Sequence, residues 1–255
     1  MFTPGGNGPP NRANEIVRAK RALEEKYDQT PPAPFLGWHS RGYLPHCDKS
    51  GLIQLVTFRL GDAMPAERRH DWQALDMIED QRERRKQLEA YLDRGCGACH
   101  LKRPEMAELV ENALLFHDAQ RYRLCGWVVM PNHVHVMFEV WDTPMHEVLY
   151  SWKKYTAVQI NKRLQRRGEF WQKEYWDRYM RDESHFNQAR RYVESNPVKA
   201  KLCAAAADWS WSSANSKWLW NTGQSNGQQQ PITRYSGGHL SSENWRRFLA
   251  QARPG

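Results

Sequence analysis

His133 and His135 place two imidazoles two residues apart in the stretch Trp127-Val128-Val129-Met130-Pro131-Asn132-His133-Val134-His135-Val136-Met137-Phe138. Side chains alternate faces along a strand, so both rings would share one face while Val134 and Val136 point to the other. Two neutral imidazoles side by side are half of a divalent-metal site. They are equally what two hydrogen-bonded polar strand residues look like, and the spacing leaves both readings open. Cys96-Gly97-Ala98-Cys99-His100 has the two-residue spacing of a zinc knuckle. A structural zinc needs a second ligand pair, and His46, Cys47 and His100 offer one only in no familiar arrangement.

Elements must hold these groups in place. Leu52 to Leu60 is rich in β-branched and apolar residues and reads as a buried strand. Ala66 to Asp93 carries Trp72, Leu75, Ile78, Leu88 and Leu92 at near-helical spacing, predicting one long or broken helix that ends before Gly95. Pro104 to His117 predicts a second helix. Tyr122 to Met130 and His133 to Val140 read as strands joined at Pro131-Asn132, where Asn132 suits the turn or a substrate contact. Glu139 falls on the histidine side of its strand, too far along to ligate the same ion.

Met145 to Leu164 predicts a third helix, and the aromatic run Phe170 to Met180 a short strand. Ser184 to Ser195 predicts a helix with Ser184 as N-cap, ended by Asn196-Pro197 because proline disfavours helical geometry in the residue before it. The order β, α, α, β, β, α, β, α points to an α+β fold, an antiparallel sheet with helices on one face. Residues 1–35 read as a polar N-terminal extension and 36–203 as the core domain. Residues 204–255 read as a Trp- and Ser-rich extension with Trp209, Trp211, Trp218 and Trp220, a linker at Asn221 to Gln230 and a last helix near Glu243 to Ala252.

No run of 18 apolar residues is present and the start lacks the pattern of a signal peptide, so a soluble, intracellular protein is expected, without a membrane partner. Five cysteines without an export signal are expected to be reduced thiols. With 37 Lys and Arg against 29 Asp and Glu, the formal charge of +8 favours a polyanionic partner. Basic residues beside aromatics, as in Tyr150-Ser151-Trp152-Lys153-Lys154-Tyr155, suit single-stranded nucleic acid, where phosphate contacts combine with base stacking. The same residues also read as a solvated helix face with its aromatics turned inward.

Pro131-Asn132-His133-Val134-His135-Val136, followed by Arg191-Tyr192-Val193-Glu194-Ser195-Asn196-Pro197-Val198-Lys199, resembles the single-tyrosine HUH endonucleases, specifically the REP-associated tyrosine transposases of the IS200-like group. The likeness extends to Gly42-Tyr43-Leu44-Pro45-His46, to Trp171-Gln172-Lys173-Glu174-Tyr175-Trp176-Asp177 with Arg181-Asp182-Glu183, and to Trp211-Ser212-Ser213-Ala214. These motifs run in order across residues 37 to 214.

The resemblance implies a ferredoxin-like (RRM-like) α+β sheet and a bacterial, cytoplasmic, nucleoid-associated enzyme. Its activity would be to cleave and rejoin single-stranded DNA beside a hairpin formed by a repetitive palindromic element. It implies Tyr192 as nucleophile, forming a 5′-phosphotyrosine, and His133 and His135 as ligands of Mg2+ or Mn2+. Asn196 stands where the family places a third polar ligand, usually Gln; i, i+4 spacing from Tyr192 shares a face if the helix holds through Asn196-Pro197, and otherwise Asn196 caps its end. Lys153, Lys154, Arg190, Arg191 and Lys199 are candidates for phosphate contacts, and Tyr175 and Trp176 for base stacking. Either a monomer or a homodimer fits, with Tyr192 meeting the histidines within or between subunits, and no other protein partner is implied. Two other readings are a DNA-binding protein on the same fold that no longer cuts, and a zinc-knuckle interaction protein built on Cys96 and Cys99.

Overall fold

A computed structural model of the chain describes residues 34–40, 45–64, 75, 77, 78 and 80–215. All belong to the second of the two units, residues 1–33 and 34–255, into which the chain divides. Residues 1–33 of the N-terminal extension, Gly42 to Leu44 of the motif that begins there, most of the stretch from Ala66 to Glu79, Trp218, Trp220, and the expected linker and last helix lie outside the described residues.

The period-two stretches become strands and the period-3.6 stretches helices, with short strands added at one edge. In chain order the elements are β1 (Gly37–Ser40), β2 (Pro45–Asp48), β3 (Ile53–Arg59), α1 (Gln81–Asp93), α2 (Pro104–Leu115), β4 (Tyr122–Val129) and β5 (His133–Val140), then α3 (Met145–Arg163), β6 (Trp176–Tyr179) and α4 (Glu183–Lys199). β1 and β2 form a two-stranded ribbon, and the main sheet has the order β4-β5-β3-β6, antiparallel throughout. Strand, helix, two strands, helix, strand in that spatial order is the ferredoxin-like arrangement, as expected. The β3–β5 register sets Thr57 opposite His135 and Arg59 opposite His133.

Each sheet face has its own core. Val56 and Phe58 of β3 and Val134, Val136 and Phe138 of β5 pack with Met106 and Val110 of α2 and with Val148, Leu149 and Trp152 of α3. Full burial of each such side chain contributes about 1.5–3 kcal/mol. The other face carries Leu55, Val128 and Met137, covered by Phe186, Ala189 and Val193 of α4. Helices therefore cover both faces, not one, because α4 has its own apolar stripe and cannot leave it in water.

The helix expected as long or broken over Ala66 to Asp93 takes the broken form: α1 begins at Gln81, where the Asp80 side chain accepts from Glu83 N at 2.8 Å. Two expectations for α4 are corrected. α4 starts one residue before Ser184, capped by Asp182, whose carboxylate accepts from His185 N at 2.7 Å. It also runs on through Pro197 to Lys199, with Ala200 N donating to Asn196 O and Leu202 N to Pro197 O. Proline removes one backbone donor, and this close to the helix end the loss is a single bond. The segment after Ala204 lies along β4: Val129 N donates to Trp211 O, Ser213 N to Trp127 O and Trp209 Nε1 to Val129 O.

Candidate functional site

The turn at Pro131-Asn132 delivers His133 and His135 onto the sheet face that α4 covers, both about 1 % exposed. Their Nε2 atoms lie 3.0 Å apart. The Nδ1 atoms are held from behind: His133 Nδ1 is 2.7 Å from Asn132 Oδ1, and His135 Nδ1 is 2.7 Å from Thr57 Oγ1. The orientation of the Asn132 amide is fixed independently, since its Nδ2 donates to Leu92 O at 3.2 Å and Cys96 O at 3.1 Å. Oδ1 can only accept, so His133 carries its proton on Nδ1 and presents a lone pair at Nε2. The Thr57 hydroxyl can accept as well as donate, so His135 can present Nε2 in the same way.

Burial holds His133 neutral, its pKa lowered to about 3 by desolvation first and by the Lys199 charge second. A neutral imidazole with its second nitrogen tied to an oxygen is the ligand state that metal ions require.

Because α4 continues through Pro197, Tyr192 and Asn196 sit one turn apart and both face β5. The ring of Tyr192 meets that of His135 edge to face, centroids 5.4 Å apart at 70°. Asn196 is fully buried, with Nδ2 3.4 Å from His135 Nε2 and Oδ1 buried without a hydrogen-bond partner. A half-turn of the amide exchanges the two atoms and brings the oxygen to His135 Nε2. Asn196 therefore does not end the helix; Ala200 is its C-cap. Two imidazole nitrogens and an amide oxygen fit a divalent cation that accepts nitrogen and oxygen donors. Among the described residues no group of three or more His, Cys, Asp and Glu side chains converges as a metal site.

The other sequence candidates are spread more widely. Lys199, exposed at the end of α4, lies with Nζ 5.6 Å from the Tyr192 ring centroid and 3.0 Å from Asp93 Oδ2. Arg190 Nε donates to Glu194 Oε1 at 3.1 Å, and Arg191 is exposed on the same helix. Lys153 and Lys154 belong to α3, which covers the opposite sheet face; Lys153 Nζ donates to Gln172 O and Lys173 O, and Lys154 lies over the Tyr150 ring. Tyr175 is not at the surface: it is 2 % exposed and packs on His46 with centroids 4.6 Å apart, so its face does not reach a base. Trp176 is half-buried at the β6 edge beneath the Arg59 guanidinium, 5.1 Å away. Glu139 pairs with Arg123 at 2.6 Å. Cys99 Sγ donates to Gly95 O at 3.0 Å and His100 stacks on Phe170, so the Cys96–His100 loop supports the turn through Cys96 O.

Thr57 was missed in the sequence. Its signal was the lone hydroxyl of a strand that also carries Gln54 and Arg59, which acquires meaning only once the register sets it opposite His135.

The family model described as Transposase IS200 like matches residues 103–196, the segment from just before α2 to Asn196 that contains both histidines and Tyr192. Among solved structures, the chain is similar to a REP-associated tyrosine transposase bound to a REP hairpin, at 16% identity and a TM-score of 0.42, covering 80% of this chain and 97% of that one. No curated protein matches the chain. Among the described residues no helix is long and apolar enough to cross a membrane.

Proposed function

We propose that this chain, similar over residues 103–196 to the IS200-like transposases, is a metal-dependent endonuclease that cleaves and rejoins single-stranded DNA. Tyr192 is the nucleophile. The observation that carries this reading is the convergence, within one chain, of the Tyr192 ring and the Asn196 amide on His135, whose Nε2 faces that of His133.

The phenol loses its proton, its oxygen bonds to the phosphorus as the bond to the 3′ oxygen breaks, and that oxygen takes up a proton to leave as a 3′-hydroxyl. The 5′-phosphotyrosine keeps the ester energy, so attack by a 3′-hydroxyl reverses the step and rejoins strands. A free phenol ionises near pH 10, so its deprotonation needs assistance at neutral pH. Mg2+ or Mn2+ held by His133 and His135 through Nε2 and by Asn196 through its amide oxygen would supply Lewis-acid stabilisation of the phosphate. The chain's own contribution is positional: Asn132 and Thr57 hold the two rings, and α4 sets Tyr192 beside them.

The substrate is a single strand bearing a hairpin, bound through basic side chains of α4, among them Arg190, Arg191 and Lys199, in the bacterial cytoplasm where such a strand arises. One chain supplies every site residue, which suits a monomer. The test is incubation of the full chain with a pool of hairpin-bearing single strands, with and without Mn2+. A denaturation-resistant protein–DNA adduct and a released strand ending in a 3′-hydroxyl, both only with metal, are expected; binding without an adduct would instead assign a DNA-binding protein that no longer cuts.

A further inference from the structure

Asp93 is the last residue of α1 and its side chain is only 11% exposed. A carboxylate at a helix C-terminus faces the negative end of the macrodipole, and the last turn of α1 has no basic residue to offset it. Desolvation raises its pKa, opposed by Lys199, and its Oδ1 is buried without a hydrogen-bond partner. Helix stability does not account for an acid at this place. Its Oδ2 lies 3.0 Å from Lys199 Nζ, and that ammonium stands 5.6 Å from the centre of the Tyr192 ring. The preceding residue, Leu92, accepts from Asn132 Nδ2 and so supports the partner of His133. The last turn of α1 thus touches both halves of the site, the imidazoles through Leu92 and the phenol through Asp93 and Lys199.

Two imidazoles and an amide bring no formal charge of their own to the site, so beside the metal ion they would hold, the negative charge of a phosphodiester under attack is left for a side chain near the phenol to meet. An ammonium has three donors, so Lys199 can keep one bond to Asp93 and turn the others toward a phosphate oxygen. A lysine side chain half in solvent would otherwise sample many rotamers, and a buried carboxylate restricts it to the one above the phenol. We propose that Lys199 is a second cation, beside the metal ion, that meets the phosphate being transferred to Tyr192, and that Asp93 is a positioning residue holding that ammonium beside the phenol. This role rests on the reading of Tyr192 as nucleophile.

The experiment compares full-length wild type, Lys199→Met, Lys199→Arg, Asp93→Asn and the Asp93→Asn/Lys199→Met double variant. Each is tested for single-turnover adduct formation and for Kd on one hairpin-bearing strand selected with wild type, in Mn2+. Lys199→Met should slow adduct formation about 100- to 1,000-fold, the scale of removing one donor aimed at a developing anion. Its Kd should change by less than about fivefold, the scale of one exposed ion pair. Lys199→Arg, which keeps the charge, should recover most of the rate. Asp93→Asn should slow the reaction in wild type and have no effect on the Lys199→Met background, the coupling expected of residues acting as a pair. Melting curves taken alongside keep loss of fold separate, and the Met and Arg variants should melt alike. Lys199→Met reacting at the wild-type rate, a loss matched by an equal loss in affinity, or failure of Arg to rescue overturns the role of Lys199. Independent, multiplying effects overturn that of Asp93. A wild-type protein that forms no adduct overturns the proposed function itself, a result distinct from all of these.

Discussion

Asn132 and His133 are neighbours in sequence whose side chains face each other across a 2.7 Å hydrogen bond, and the amide on one side decides which nitrogen of the imidazole on the other carries the proton. Asn132 is anchored by two backbone carbonyls, Leu92 O and Cys96 O, so this choice is built into the fold before any ligand arrives. Asn132→Ala should lower Mn2+ affinity about 10- to 100-fold, the usual cost of removing the partner behind a ligating histidine. Calorimetric titration of the full chain checks it; unchanged affinity would show that His133 needs no such partner.

Thr57 plays the same part for His135, across the β3–β5 ladder. Thr57→Val keeps the shape and removes the hydroxyl. It should weaken Mn2+ binding while Thr57→Ser retains it, and equal affinities for Val and Ser would remove Thr57 from the site.

The neutral state of His133 makes a prediction about pH. Its pKa is lowered in the fold to about 3 from an ordinary 6.5, so between these values the unfolded chain binds a proton that the folded one does not. Its contribution to stability is therefore complete above about pH 6.5 and lost as pH falls toward 3, with a slope of at most about 1.4 kcal/mol per pH unit. The direct measurement is the NMR titration of the His133 ring, which should show no midpoint above pH 5; a midpoint near 6.5 would contradict the burial argument.

Gly97 lies in the loop that supplies Cys96 O to Asn132. Its φ of +84° is in the left-handed region, and a Cβ added there would fall 2.3 Å from Asp62 O. Gly97→Ala should lower stability by about 1–3 kcal/mol and, by shifting Cys96 O, weaken metal binding as well. Chemical denaturation and the same titration test both effects. A stable variant with unaltered metal affinity would separate the loop from the site.

The main sheet was legible because β3, β4 and β5 are long and strongly patterned, and the pairing of His133 with His135 followed from strand alternation alone. What was not legible depended on contacts distant in sequence. Nothing local tells that α4 would bury its stripe on the histidine face, or that a proline at 197 would be carried inside a helix; tertiary packing of Val193, Asn196 and Pro197 decides both. Thr57 and Asp93 lie 78 and 106 residues from the His135 and Lys199 side chains they touch. Tyr175 misled because an aromatic beside charged residues can stack on a base or fill a core, and here its ring is in the core against His46.

The most direct measurement of the central claim is mass spectrometry of the covalent product formed by the full chain with hairpin-bearing single-stranded DNA and Mn2+, with Tyr192→Phe and His133→Ala treated in parallel. The account predicts a 5′-phosphodiester on Tyr192 in wild type, none in Tyr192→Phe, and a loss of at least about a hundredfold in His133→Ala. An adduct that persists in Tyr192→Phe, or that maps to another residue, would contradict it.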